Sequence, residues 1–129
     1  GWCTGAVAQD EALLAEPVNA LEREEDPDGG WRSFANRALA GEYAALFARL
    51  DLLILLAAPG FETVYGWRCQ QEEVLHQRGA PQAMDNAAVA RFIAHYERLT
   101  RHILTEMPAR ADMVAWLAPD RSAKRIERG

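Results

Sequence analysis

The chain has 129 residues, of which 50% are hydrophobic and 26% are charged, and its formal net charge is −5. This composition is typical of one folded domain and excludes a disordered tail or a collagen-like fibre. An acidic chain without a basic block is also a poor candidate for binding nucleic acid or an anionic membrane.

The first residues are apolar and rich in glycine, and they predict a chain that begins inside a larger protein. Residues 1–9 are expected to form the end of a strand and the loop after it. Asp10 is the expected N-cap of a short helix that ends before Pro17. The two cysteines, Cys3 and Cys69, show no C-x-x-C spacing, which predicts a reducing, cytoplasmic environment.

A helical pattern runs from Trp31 to Leu50, and Gly41 is expected to divide it into two helices. The apolar run 52–58 follows and ends at Pro59-Gly60. This run is too short to span a bilayer. It fits a strand buried on both faces, although its leucine content leaves a buried helix end as an alternative.

Two long helices are predicted next, one over 61–78 and one from Asp85 to about Met107. The apolar run 112–117 is the second predicted strand, and Ser122 is the expected cap of a last helical turn. Two strands joined by a helical crossover indicate a βαβ unit and a parallel sheet. Because two strands cannot form a covered parallel sheet, the missing strands are expected before Gly1. The sequence thus predicts the C-terminal part of an α/β domain.

Arg68 and Glu72 interrupt the apolar face of the predicted helix 61–78, four residues apart. Charges on a buried face must be paired or hydrogen-bonded. Two interpretations follow: the residues form an ion pair with each other, or the face lines a cleft in which Arg68 reaches an anionic ligand.

Other motifs give little support to catalysis by this chain alone. Glu73 and His76 have the E-x-x-H spacing of di-iron bundles, but no second motif accompanies them, so no metal site is expected. No glycine-rich phosphate loop is present. The four tryptophans are expected to pack in the core, with a base-stacking role for the Trp-Arg pairs as the alternative.

The order of several short motifs resembles the glycerate-kinase-like P-loop kinases over nearly the whole chain, and its last part is similar to the pantothenate kinase and uridine kinase group. The motifs are Gly1-Trp2-Cys3-x-Gly5, Pro17-Val18-Asn19-x-Leu21-Glu22, Asp26-x-x-Gly29-x-Trp31-Arg32, Trp67-Arg68-x-Gln70-Gln71-Glu72, Tyr96-Glu97-Arg98-Leu99 and Pro108-x-Arg110-Ala111-Asp112.

The resemblance implies an α/β P-loop NTPase-type fold, of which residues 1–129 are a single, mostly helical, partial domain with about two short parallel strands. It implies ATP and Mg²⁺ as partners of the reaction, with their main ligands outside this chain. The substrate-binding residues it implies are Asn19, Glu22, Arg68, Gln71 and Glu72. The nucleotide-binding residues it implies are Arg110, Asp120, Arg121 and Lys124, and it implies no catalytic or metal-binding residue in this chain.

The implied function is part of an ATP-dependent kinase that phosphorylates a hydroxyl group of a small acceptor such as glycerate. A non-catalytic interaction or regulatory module derived from the kinase fold is the alternative. The expected partners are the small acceptor and either the missing N-terminal half or a second copy. Neither nucleic acid nor a membrane is expected.

Overall fold

The computed structural model describes residues 1–129 without a gap and shows a mixed α/β chain. Its elements in chain order are α1 (Ala20–Glu25), α2 (Gly30–Ala40), α3 (Glu42–Phe47), β1 (Ile54–Ala57), α4 (Phe61–Gln77), α5 (Asn86–Ala94), α6 (Glu97–Glu106), β2 (Met113–Leu117) and β3 (Ala123–Arg128), with 3-10 turns at Glu11–Leu14 and Met107–Ala109. None of the helices is both long and apolar enough to cross a bilayer.

The two predicted strands pair in parallel, as the βαβ pattern requires. Ile54 lies opposite Met113, and Ala57 lies opposite Trp116. Just before the strands pair, the backbone N–H of Leu53 donates to Asp112 Oδ2 at 2.7 Å. The crossover between β1 and β2 consists of α4, α5 and α6, which confirms the helical connection.

The prediction of a helical turn after Ser122 is wrong, because residues 123–128 form β3 and pair antiparallel to β2. The Ser122 hydroxyl does not cap a helix and instead donates to Asp120 Oδ1 at 2.6 Å within the β2–β3 turn. All six residues of β3 are exposed, so no apolar pattern marks this strand. It is held by backbone pairing to the open edge of β2, which makes the sheet mixed rather than purely parallel.

The prediction of one continuous helix from Asp85 to Met107 is also wrong. Asp85 does cap α5 and accepts from the N–H of Ala88 at 2.8 Å. The helix then breaks at His95 and Tyr96, and α6 begins at Glu97. At the break the side-chain amide of Asn19 donates to the carbonyl oxygen of Ala94 at 2.9 Å. A distant side chain therefore satisfies a carbonyl that a continuous helix would have used internally.

Other helix predictions hold. Gly41 separates α2 from α3, and α4 extends from Phe61 to Gln77. Asp10 caps a short helix as predicted, although this helix is the 3-10 turn Glu11–Leu14.

Residues 1–9 contain turns and no strand, which corrects that expectation. The backbone N–H of Thr4 donates to the Gly1 carbonyl oxygen, and that of Ala6 donates to the Cys3 carbonyl oxygen. Gly5 has a φ of +80°, and a Cβ atom there would lie 2.7 Å from Leu53 Cδ1. The segment therefore curves closely against the start of β1, in a conformation that favours glycine.

The main core lies between one face of the sheet and the helices. Leu55 and Ala57 of β1 pack with Leu39 of α2 and Ile103 of α6. A smaller core between α4 and α5 contains Phe61, Val89 and Ile93.

The tryptophans only partly follow the prediction of a core role. Trp2 is 51% exposed and Trp31 is 55% exposed, which contradicts that role for these two. Trp67 and Trp116 are partly buried. Their indole N–H groups donate to the Pro119 carbonyl oxygen and to a Glu127 carboxylate oxygen, respectively. A buried indole N–H needs such a hydrogen-bond acceptor, and Pro119 and Glu127 provide one for Trp67 and Trp116, respectively.

Candidate functional site

Helix α4 begins directly after β1 and carries the Arg68–Glu72 pair. Arg68 Nη1 lies 2.5 Å from Glu72 Oε1, and it also donates to Gln71 Oε1 at 3.0 Å. Glu72 is 3% exposed, and its second oxygen accepts from the backbone N–H of Met84 at 2.8 Å. Glu72 is therefore fully used within the fold, and it fastens the loop after α4 to the helix.

Arg68 also borders an apolar cleft of about 580 Å³. The cleft is lined by Leu56, Phe61, Val64, Phe92 and Tyr96, among other residues. The Arg68 guanidinium carbon lies 5.7 Å from the centre of the Phe92 ring, and a quarter of the Arg68 side chain is exposed. The ion pair and the cleft position thus exist together, so the two interpretations of this residue do not exclude each other.

A second, more polar groove also borders Arg68. It is lined by Val64, Trp67, Arg68, Gln70, Gln71 and Arg121, among other residues. Arg121 comes from the β2–β3 turn and donates to Gln70 Oε1 at 2.9 Å. The structure therefore brings one predicted nucleotide-binding residue next to the predicted substrate-binding residues of α4.

Asp120 precedes Arg121 in the same turn, and its carboxylate is used locally. Hydrogen bonds from the Ser122 hydroxyl and from the Ser122 backbone N–H lower the pKa of Asp120. This carboxylate stabilises the turn that presents Arg121.

Asn19 and Glu22 lie apart from the α4 groove, at the start of α1. Asn19 caps α1 by accepting from the N–H of Glu22 at 2.9 Å. Both Glu22 oxygens bind the Arg98 guanidinium, at 2.8 Å each. Burial acts to raise the pKa of Glu22, but hydrogen bonds from Arg98 and from the Val18 N–H bring it below its usual value. Both side chains therefore have structural partners, and a substrate contact for either stays a prediction.

Arg110 and Lys124 are not in the groove either. Arg110 pairs with Glu106 and donates to the Gly5 carbonyl oxygen, which ties the start of the chain to the end of α6. Lys124 is exposed on β3, and its side chain forms no hydrogen bond or ion pair. The nucleotide-binding residues implied by the resemblance are therefore divided between separate parts of the surface.

Some polar residues that the sequence analysis did not select are prominent in the structure. Arg98 donates to Glu22, Gln9 and the carbonyl oxygens of Leu13 and Glu16. The signal for Arg98 in the sequence is its place in the motif Tyr96-Glu97-Arg98-Leu99, which carries the resemblance.

Asp26 and Arg32 form a buried pair, 5% and 8% exposed. Both residues belong to a motif that carries the resemblance, and the sequence Pro27-Asp28-Gly29-Gly30 between them is typical of a tight turn.

The residues present do not fit a magnesium site. No three His, Cys, Asp or Glu side chains come together in an arrangement that could hold a metal ion. Glu73 accepts from Gln77, and His76 lies against the Met84 carbonyl oxygen, so neither is directed towards a shared metal.

No protein-family model matches the chain, but comparison with individual proteins identifies similar ones. A protein of Schizosaccharomyces pombe named "Uncharacterized kinase mug58" is 33% identical over 96 residues, which are 74% of this chain and 33% of that protein. The solved structure of a D-glycerate 3-kinase from Cryptococcus neoformans superimposes on the whole chain with a TM-score of 0.76 and 18% identity, and the match covers 48% of that kinase.

The chain thus spans about a third of the curated relative and about half of the solved kinase. The whole of residues 1–129 takes part in the structural match, so the similarity is not confined to one common motif. The resemblance seen in the sequence is confirmed at the level of the fold: the chain has the glycerate-kinase-like fold of the C-terminal part of such a kinase.

Proposed function

We propose that this chain is the acceptor-binding and lid part of an ATP-dependent kinase that phosphorylates a hydroxyl group of a small acid such as glycerate. The observation that carries the proposal is the superposition of the entire chain on 48% of a D-glycerate 3-kinase. The kinase-named relative, matched over 74% of the chain, supports the same reaction class.

In this proposal, the remaining part of such a kinase supplies the residues that bind ATP and Mg²⁺, and its strands complete a P-loop type of sheet. In the reaction, the acceptor hydroxyl gives its proton to a base in the remaining part of the kinase, and its oxygen forms a bond to the γ-phosphorus while the bond from that phosphorus to the ADP oxygen breaks. The kinase works mainly by positioning these groups and neutralising their charge. The two free cysteines, Cys3 and Cys69, support a cytoplasmic location.

The role proposed for α4 is to present Arg68 to the acceptor carboxylate or to the transferring phosphate. Arg68 lies at the border between the apolar cleft and the polar groove, and its planar guanidinium can bind two oxygens of one anion. Glu72 and Gln71 hold this guanidinium in place. Arg68 is thus the residue of this chain that we place closest to the chemistry.

The experiment is steady-state phosphorylation of glycerate by the protein encoded by the complete reading frame. Arg68→Ala should lower kcat/KM by about 100-fold or more, the size seen when an electrostatic contact to the reacting group is removed. Arg68→Lys should restore only part of the rate because an ammonium lacks the planar fork. Arg91→Ala is the matched control, since it removes an exposed ion pair with Glu25.

Unchanged kinetics for Arg68→Ala, with a lowered Tm that Arg68→Ala/Glu72→Ala restores, would mean that the pair is only structural. Absence of any phosphoryl transfer by the complete protein would instead favour the non-catalytic module.

The 129-residue chain alone should not hydrolyse ATP above the uncatalysed rate, because it has no phosphate loop. Robust turnover by the purified chain in an ADP-release assay would contradict the proposal that the ATP and Mg²⁺ ligands lie in the remaining part of the kinase.

A further inference from the structure

The turn between β2 and β3 holds an arginine in a conformation that arginine seldom adopts. Arg121 has a φ of +69°, and it is the only non-glycine residue of residues 1–129 with a positive φ. Its N–H donates to the Ala118 carbonyl oxygen, and the N–H of Ala118 donates to the Ser122 carbonyl oxygen, at 2.9 Å each. Glycine or asparagine would fit this backbone with less strain. Strain of this kind concentrates where a particular side chain is needed.

Neutral side chains hold the Arg121 guanidinium in place. It lies over the Trp67 ring, 5.3 Å from the ring centre, and donates to Gln70 Oε1 at 2.9 Å. The Trp67 ring is itself anchored, because its N–H donates to the Pro119 carbonyl oxygen at 2.7 Å. The turn and α4 are thus joined through three separate contacts.

No carboxylate neutralises Arg121. The neighbouring Asp120 is bonded to Ser122, and no acidic side chain forms an ion pair with Arg121. Arg68, Arg98 and Arg110 differ in this respect, since each is paired with a glutamate. Arg121 is therefore an oriented positive charge without a counter-ion.

The groove beneath Arg121 suits an anion. Two guanidinium groups, those of Arg68 and Arg121, line it, and no acidic side chain does. The polar groups on its wall are the amides of Gln70 and Gln71. The charge of Arg68 is balanced by Glu72, so Arg121 supplies the net positive charge of the groove. The N–H groups of its planar guanidinium that Gln70 leaves free match the oxygens of a phosphate.

We propose that Trp67 and Gln70 are positioning residues that hold Arg121 as a phosphate-binding group in the groove between α4 and the β2–β3 turn. The ligand class is a phosphate ester or phosphoanhydride. The identity of the natural ligand rests on the proposed kinase function. The groove and its charges are features of the structure and do not depend on that function.

The test is calorimetric titration of inorganic tripolyphosphate into the 129-residue chain, with circular dichroism of each variant to verify folding. Arg121→Ala and Gln70→Glu should each weaken binding by tenfold or more, the first by removing the cation and the second by neutralising it. Trp67→Leu should weaken binding to a similar extent, whereas Trp67→Phe, which keeps an aromatic face, should stay within threefold of the parent. Arg49→Ala, which removes an exposed charge elsewhere, is the matched control.

The decisive comparison is the double variant Trp67→Leu/Arg121→Ala. If Trp67 acts through Arg121, the double variant should bind no more weakly than Arg121→Ala alone. Additive losses, or a parent chain that does not bind tripolyphosphate, would overturn the inference. The two proposals can fail separately. If tripolyphosphate binding depends on these residues but the complete protein does not phosphorylate glycerate, the proposed function is rejected and the anion site still stands.

Discussion

At the scale of single residues, the most enclosed charge pair is Asp26 with Arg32. The Asp26 carboxylate accepts from the backbone N–H groups of Trp31 and Arg32, and it binds the Arg32 guanidinium at 3.1 Å. Arg32 also donates to the Leu14 carbonyl oxygen at 2.6 Å. Burial acts to raise the pKa of Asp26, but the backbone hydrogen bonds and the Arg32 charge bring it below its usual value. The pair joins the turn at 26–30 to the segment before α1.

The folded-state pKa of Asp26 is lowered, so the ionised carboxylate stabilises the fold. This contribution to the free energy of unfolding is fully present above the unfolded-state pKa of about 3.9. It is lost as the pH falls through the folded-state pKa. Asp26→Asn should therefore lower the free energy of unfolding at pH 7 by about 3 kcal/mol, since it leaves a buried arginine unpaired. It should also make that free energy depend less on pH below about 4. Urea unfolding between pH 7 and pH 3 measures both effects. The exposed Asp28→Asn is the control, and an equal loss in both variants would contradict the prediction.

At the scale of elements, the junction of α5 and α6 depends on a side chain from the start of α1. Asn19 caps its own helix and also donates to the Ala94 carbonyl oxygen. The two residues are 75 positions apart in the chain. One asparagine thus fixes how the first helix meets the break between two later ones.

Asn19→Ala should lower the free energy of unfolding by about 1–2 kcal/mol, because both the cap and the Ala94 contact are lost. Asn19→Ser keeps a capping oxygen but has no amide donor, so the Ser variant isolates the Ala94 contact. Hydrogen exchange should then be faster at residues 94–98 in both variants. Asp85→Ser, which exchanges one cap for another at α5, should leave stability within about 0.5 kcal/mol. Slow exchange at 94–98 in the Ala variant would show that the junction does not need Asn19.

At the scale of the whole molecule, the sheet is covered on one face and open on the other. Leu55 and Ala57 are buried beneath helices, whereas Ile54 is 49% and Leu56 is 66% exposed. Ile126 on β3 is 60% exposed, in register with the same open face. Strand β1 pairs only with β2, so its other edge is free. Such an apolar face and free edge favour association.

The 129-residue chain alone should therefore associate with itself at micromolar concentration. Leu56→Lys should shift it towards monomer in sedimentation velocity while changing the free energy of unfolding little, because Leu56 lies on the open face. Leu55→Ala is the matched control on the covered face. It should lower stability by about 2–5 kcal/mol and leave the open face apolar. A parent chain that stays monomeric at all concentrations would contradict this role for the open face.

The candidate site was predictable where its geometry is local. Arg68 and Glu72 are four residues apart on one helix, so helical periodicity alone identified them as neighbours. The contact of Glu72 with Met84 was not predictable, because it depends on how the loop after α4 folds back. The contact of Arg121 with Gln70 joins residues 51 positions apart, and no local pattern encodes it.

The sequence alone determined the features that depend on neighbouring residues. These are the strands β1 and β2 from their apolar runs, the break at Gly41, the caps at Asp10 and Asp85, and the order of motifs that indicated a glycerate-kinase-like chain. Tertiary structure alone decided the break at His95, the exposed strand β3 and the separation of Asn19 and Glu22 from the α4 groove. The physical reason is that these features depend on contacts between residues far apart in the sequence. A distant side chain satisfies the Ala94 carbonyl, and an open strand edge pairs with residues that have no apolar pattern.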